Sequence, residues 1–294
     1  MGISSRKCGP TSQWTDENVE RGEALFQGKL STHTKTLDQY RSKAASLLNS
    51  TNNTASDGKI DVYWHVIYES KNEAGGYLTD EKIQENVDVM NQGYKGTGIQ
   101  FELMGVTKTK NDKWFNRVGP EEPELAYATA MKKRLRVGGP EVLNVYTVGF
   151  KTGSGEGLLG YATFPMDYDT APQDDGVVIA YNSVPGGSAT KFDQGKTLTH
   201  EVGHWLGLFH VFSDQGVCTG PQDYVNDTPD QKSPTSGCPT VAADSCPGAG
   251  VDSIHNFMDY SYDECLTEFT PGQVARALAT IEMYRGIVLP EDAH

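Results

Sequence analysis

The chain has 294 residues, with 25 Lys and Arg against 39 Asp and Glu and a formal net charge of −14. That is long enough to bury a full-sized core without relying on disulfides. The acidic balance, with no basic block, argues against nucleic acid or an anionic membrane surface as a partner. No apolar run approaches the roughly 18 residues of a membrane span, and the start, MGISSRKCGP, lacks the apolar core of a secretory signal.

Residues from about Thr11 to Asn49 are polar and helix-tolerant, and LLNSTNNTASDGK reads as a mobile linker ending near Asp57. IDVYWHVIY, rich in β-branched and aromatic residues, then predicts the first strand of the folded body. In LTDEKIQENVDVMNQGYK, Thr79 is a possible N-cap and Ile83, Val87 and Met90 recur at helical spacing, so an amphipathic helix follows. IQFELMGV, EVLNVYTVGF, GYATFP and DGVVIAYNSV predict further strands, with helical AYATAMKKRLRV among them. Strand and helix alternate, so the first lobe is α/β with a mostly parallel sheet.

Gly155, Gly157 and Gly160 spell G-x-G-x-x-G, the pattern of a dinucleotide-binding turn. YATFP stands where the phosphate-facing helix should open, so the segment is read as a loop. From Gly207 onward turns dominate, closing with a helix over PGQVARALATIEMYRGIV.

Five cysteines occur, and Cys218, Cys238, Cys246 and Cys265 crowd into this second, irregular lobe. With no C-x-x-C pair, the cluster reads as two local disulfides in an oxidising compartment, and three pairings remain open.

TLTHEVGHWLGLFH, residues 197–210, carries the chemistry. On a helix His200 and His204 lie one turn apart on the same face, close enough to share a metal ion. Leu198, Val202 and Leu206 fall on other faces and can pin the helix to the α/β lobe. Glu201 can reach a metal-bound water as general base. Gly207 permits the turn that swings His210 round as third ligand. Three protein ligands leave one position open, the mark of a catalytic zinc site. H-E-x-x-H arises by chance in about 1% of chains this long, and the added Gly and His lower that to on the order of one in 10⁵.

The H-E-x-x-H-x-x-G-x-x-H pattern, followed by Met258 in IHNFMDYSYDEC, resembles the metzincin metallopeptidases with their methionine turn beneath the zinc. Within that clan NDTPD, IHNFMDYSYDEC and FTPGQ resemble the pappalysin family, in particular its small microbial, ulilysin-like and fungal extracellular members. The likeness runs from Ile60 to the C-terminal helix and is weakest over the first fifty residues.

The resemblance implies a secreted zinc endopeptidase acting on proteins or peptides; with the charge balance excluding nucleic acid and membrane, the expected form is a monomer. It implies a metzincin-like fold: an upper lobe of about residues 58–206 with a twisted sheet and the active-site helix, and a disulfide-stapled lower lobe of about residues 207–294. Glu201 would pass a proton from the attacking water to the departing amine, with Tyr260 donating to the oxyanion and Met258 packing below.

Asp263 would sit at the base of the pocket after the scissile bond, selecting Arg, with Lys second. Gly160, Tyr161, Ala162 and Thr163 would form the cleft's edge strand and pair with extended substrate. Asp223, the Val225 carbonyl, Asp227 and Thr228 would bind Ca²⁺. The disulfide pairing implied is Cys218 with Cys246 and Cys238 with Cys265.

Cys8, in RKCG, is left over and looks like the cysteine latch of some metzincin zymogens, its thiolate displacing the catalytic water. Residues 1–57 would then be a pro-segment and residues 58–294 the catalytic domain, with Gly58–Lys59 a suitable bond for self-removal. A rival reading, a catalytically silent binding protein on this scaffold, predicts loss of Glu201 or a ligand, and all four residues are present.

Overall fold

The computed structural model describes residues 6–9, 15–49, 59–219 and 222–287. Of the expected linker, residues 47–49 are helical and Lys59 begins the first strand, while 50–58, and with them the Gly58–Lys59 bond, lie outside the described residues. Five strands form one sheet in the order β2-β1-β3-β5-β4: β1 (Lys59–Tyr68), β2 (Gln100–Lys110), β3 (Leu143–Val148), β4 (Gly160–Ala162) and β5 (Val177–Ala180). β1 pairs in parallel with β2 and β3, and β3 with β5, while β4 runs antiparallel to β5 at the edge. The all-buried pattern of β3 and β5 is what a parallel sheet covered on both faces requires.

Alternation along the strands sorts side chains into two layers. Val62, Trp64, Val66, Val145, Val177 and Ile179 join the larger core, with α3 (Asp80–Gly93) and α6 (Lys196–Trp205). Ile67, Tyr146, Val148, Val178 and Ala180 face the other way and meet Phe115 of α4 (Asp112–Arg117) and Ala128 and Met131 of α5 (Leu125–Leu135). Thr79 caps α3 as expected, its side chain accepting from the Lys82 N–H.

β2 runs on to Lys110, beyond the apolar run that predicted it, because pairing with β1 continues to Tyr68↔Lys110. α4, which the strand and helix patterns did not suggest, is capped by the Asn111 side chain. The G-x-G-x-x-G stretch forms a short turn over Gly153–Gly155 and then enters β4, with no helix at the phosphate position.

The expected C-terminal helix is α7 (Pro271–Thr280), begun by a Thr270–Gln273 capping box and continued by a π-helical turn over Ile281–Arg285. The polar N-terminal stretch folds as α1 (Asp16–Thr32) and α2 (Leu37–Asn49). Phe26, Tyr40 and Ala44 from this pair enter the same core as α7. Arg276 of α7 lies 4.3 Å from the Phe26 ring centroid and 5.1 Å from that of Phe209, and its Nη1 is 2.6 Å from Glu23. Among the described residues no helix is long and apolar enough to cross a membrane.

Candidate metal centre

α6 is buried along its length from Thr197, and Leu198, Val202 and Leu206 are fully inaccessible, as the spacing predicted. Its far end is anchored through Trp205, whose indole N–H donates to Asp175 at 3.1 Å. The Arg285 guanidinium stacks on that indole at 3.7 Å and bonds the same carboxylate at 2.9 Å.

Two glycines decide the local shape. At Gly203 a Cβ would collide with the sulfur of Met258, which is fully buried directly beneath the helix. Gly207 has φ of +86°, the left-handed conformation that ends the helix. The reversal returns the Leu208 carbonyl to His204 Nδ1 at 2.8 Å and leads the chain to His210.

His200, His204 and His210 present one ligand atom each within 4.8 Å of one another, all buried. Nδ1 of His200 is held by the Phe257 carbonyl at 2.7 Å and that of His210 by both Asp214 oxygens at 3.1 Å. With each Nδ1 engaged, Nε2 is the nitrogen left toward the shared centre, and the Nε2 atoms of His200 and His204 are 3.2 Å apart. Burial, followed by the neighbouring imidazoles, holds His200 and His204 well below the usual histidine range. Neutral imidazoles that hold their tautomer through Nδ1 are the form that binds a metal.

Glu201 is also fully buried, and neither carboxylate oxygen accepts a hydrogen bond among the described residues. Burial pushes its pKa up to about 8 against the opposing pull of Cys8 and Arg6. A zinc ion fits this donor set: converging imidazoles with fixed tautomers and an adjacent carboxylate whose buried oxygens otherwise lack partners.

A second cluster of possible ligands, Cys8, His200 and Glu201, overlaps the first within the same 4.8 Å limit. The segment carrying Cys8 lies along β4. The Leu159 N–H donates to the Lys7 carbonyl and the Gly9 N–H to the Gly160 carbonyl, both at 2.9 Å, and the bridge is parallel. Tyr260 reaches the same place: its hydroxyl donates to the Cys8 carbonyl at 2.8 Å, and the Cys8 N–H donates to it at 3.1 Å. Burial raises the pKa of the Tyr260 phenol far above its ordinary value, so it stays a donor.

Of the edge-strand residues, Gly160 approaches Glu201 so closely that a Cβ would press on its carboxylate. Tyr161 turns its ring into the core beside Phe150, Ala162 is buried, and Thr163 donates to Asp175 and Gly176. Only backbone groups of β4 are therefore presented to an extended chain.

Asp263 is wholly buried in an ion pair with Arg6 at 2.6 Å. Arg6, Thr197, Phe192 and Asp214 were not singled out in the sequence. The i, i+4 spacing of His210 and Asp214 was a usable signal for the last; the others come from segments remote in sequence.

Both disulfides join the expected partners, Cys218–Cys246 and Cys238–Cys265, and Cys8 is a free, buried thiol. In the acidic loop Thr228 donates its hydroxyl toward Asp223 (2.8 Å) and the Val225 carbonyl (2.7 Å), so those three lie together. Asp227 turns elsewhere: it accepts from the Thr270 hydroxyl at 2.7 Å and the Gly272 N–H at 2.8 Å, at the start of α7. Asp223 is buried, and its Oδ2 has no hydrogen-bond partner among the described residues.

Residues 141–282 match the family model described as pregnancy-associated plasma protein-A. The chain is 46% identical over 232 residues to extracellular metalloprotease 1 of Coccidioides posadasii, covering 77% of this chain and 78% of that one. Among solved structures it is similar to mature mirolysin of Tannerella forsythia in complex with a cleaved peptide, with 30% identity, a TM-score of 0.62, and coverage of 77% of this chain and 95% of the other. It is also similar to a promirolysin mutant of that organism, with 27% identity, a TM-score of 0.68, and coverage of 95% of each chain.

Proposed function

The chain belongs to the pappalysin family of metzincin metalloendopeptidases, that of pregnancy-associated plasma protein-A, and from that premise we propose that it is a secreted, zinc-dependent peptidase made as a latent precursor. The observation that carries the reading is the convergence of His200, His204 and His210 beside Glu201, with the Cys8 thiol in an overlapping cluster with His200 and Glu201. Secretion is supported by the extracellular metalloprotease named above and by the two disulfides.

His200, His204 and His210 would hold the zinc. When bound, the metal supplies Lewis acidity that polarises the scissile carbonyl and acidifies water. Glu201 takes a proton from the attacking water and delivers it to the departing amine, its carboxylate lying beside His200 in the buried cluster. Tyr260 donates to the oxyanion, as its hydroxyl already donates to the Cys8 peptide carbonyl. The Leu159 N–H and Gly160 carbonyl hold the extended substrate, and Asp263 receives a basic side chain after the scissile bond.

Residues 1–57 are read as a pro-segment and 58–294 as the catalytic domain. The likeness to promirolysin spans 95% of the chain and that to mature mirolysin 77%, which supports the division. Cys8 then serves as the latch, next to Glu201 and His200. A Ca²⁺ ion in the acidic loop, held by Asp223, the Val225 carbonyl and Thr228, with Asp227 left to α7, is supported by the buried, unpartnered Asp223 oxygen.

Casein digestion by the full chain after incubation with zinc and calcium tests the reading. Activity should vanish with a chelator and in Glu201→Ala, and the new N-terminus should fall near residue 58. Persistent activity in Glu201→Ala, or full activity with residue 1 retained, would refute it.

A further inference from the structure

We infer that Phe192 and Thr197 are specificity-determining residues that make the Asp263 pocket select a guanidinium over an ammonium. The inference rests on the reading of Asp263 given above and deepens it, because the chain carries its own occupant of that pocket. Arg6 and Asp263 have no exposed side-chain surface, and Nη2 meets Oδ1 at 2.6 Å.

The other oxygen is committed. Oδ2 accepts from the N–H of Gln194 at 2.9 Å and of Lys196 at 3.4 Å. The Lys196 ammonium does not compete for the carboxylate, since it lies on the carbonyls of Asp263 and Leu266 at 2.7 and 2.8 Å. One carboxylate oxygen therefore faces the occupant, and either Lys or Arg could meet it. The floor alone does not choose between them.

The walls do. Arg6 Cζ lies 5.2 Å from the ring centroid of Phe192, which is fully buried and held edge-on by Tyr262 at 5.4 Å. On another side Nη1 points to the Thr197 hydroxyl at 3.4 Å, on the first turn of α6. A guanidinium has a face to lay on the ring and a second terminal nitrogen for the hydroxyl. An ammonium is a compact, strongly hydrated charge with neither, and it loses more on entering a site without water. Because Phe192 and Thr197 flank the segment that binds Oδ2, the selectivity is built into the approach to the metal helix.

The test uses the full-length, metal-loaded chain, carrying Glu201→Ala in every variant so that residues 1–57 are not removed, and the rate of iodoacetamide labelling of Cys8, the cysteine outside both disulfides, which rises when the Arg6–Gly9 segment lifts out. Against that parent, Arg6→Lys should label about tenfold faster, as should Phe192→Leu, the scale of one desolvated cation–aromatic contact. With Phe192→Leu already present, adding Arg6→Lys should change the rate less than about threefold, because the contact that distinguishes the two cations is gone. Thr197→Val, close in volume, completes the same cycle if Phe192→Leu lowers the melting temperature.

Asp263→Asn should label fast with either residue at position 6. Arg6→Lys labelling at the parent rate, or a tenfold effect undiminished in both Phe192→Leu and Thr197→Val, would overturn the inference. Casein digestion is read separately with Glu201 intact, so loss of the peptidase reading and loss of the guanidinium selectivity are distinguishable.

Discussion

The hydroxyl of Tyr260 donates to the carbonyl oxygen of Cys8 at 2.8 Å while accepting from the N–H of that same residue at 3.1 Å. The phenol thus grips the backbone of one residue on both sides of its Cα beside the histidine cluster, with its ring centroid 4.9 Å from that of His210. A donor that recognises a peptide carbonyl there is placed to recognise the oxyanion formed from one.

Tyr260→Phe in the activated enzyme is accordingly expected to lower kcat about 10²-fold with little change in KM. Steady-state kinetics on a fluorogenic peptide check this. A rise in KM at unchanged kcat would assign the hydroxyl to substrate binding alone.

Asp214 bonds His210 Nδ1 through both oxygens at 3.1 Å, fixing the tautomer that leaves Nε2 for the metal. Asp214→Asn should weaken zinc binding by about 10- to 100-fold while leaving the fold intact. Competition against a chromophoric chelator measures it, with circular dichroism as the control.

In the acidic loop the buried Asp223 oxygen lacks a partner, whereas Asp227 already caps α7. Calcium removal with EGTA is expected to lower the melting temperature by several degrees, and millimolar Ca²⁺ should restore it. Asp223→Asn should abolish the calcium response. Asp227→Asn should lower the melting temperature even without calcium, because it weakens the cap.

Lys132 is buried with its ammonium on the Asp174 carbonyl at 2.6 Å, and burial lowers its pKa from 10.5 to about 8. Between those values the unfolded chain keeps a proton that the folded chain has lost, so stability rises with pH through the window. Relative to Lys132→Met, the wild type should gain about 3 kcal/mol between about pH 8 and 10.5. Urea unfolding of both proteins across that range checks the sign and the size.

The metal-binding helix was legible because its information is local. His200, Glu201 and His204 sit within one turn, so helical periodicity alone puts the two imidazoles on one face, and Gly207 announces the reversal that brings in His210. The strands were legible for the same reason, as short apolar runs between turn residues. α4 was missed because six residues carry no periodic signal, and the extension of β2 to Lys110 depends on its partner β1. The stretch that forms α1 and α2 reads only as polar and helix-tolerant, yet Phe26, Tyr40 and Ala44 are core residues; which few side chains of a polar helix are covered depends on what packs against it.

The sequence by itself determined the three histidines and the glutamate, and with them the metal chemistry proposed for the chain, because residue type and i, i+4 spacing suffice to bring them together on a helix. Only the tertiary structure decided that Arg6 meets Asp263 across 257 positions and that Phe192 and Thr197 wall the same pocket. It also turned Tyr161 inward and Asp227 toward α7. The physical reason is that a contact between distant segments is set by the packing of the whole core, and no local pattern along the chain encodes which remote side chain will fill a given cavity.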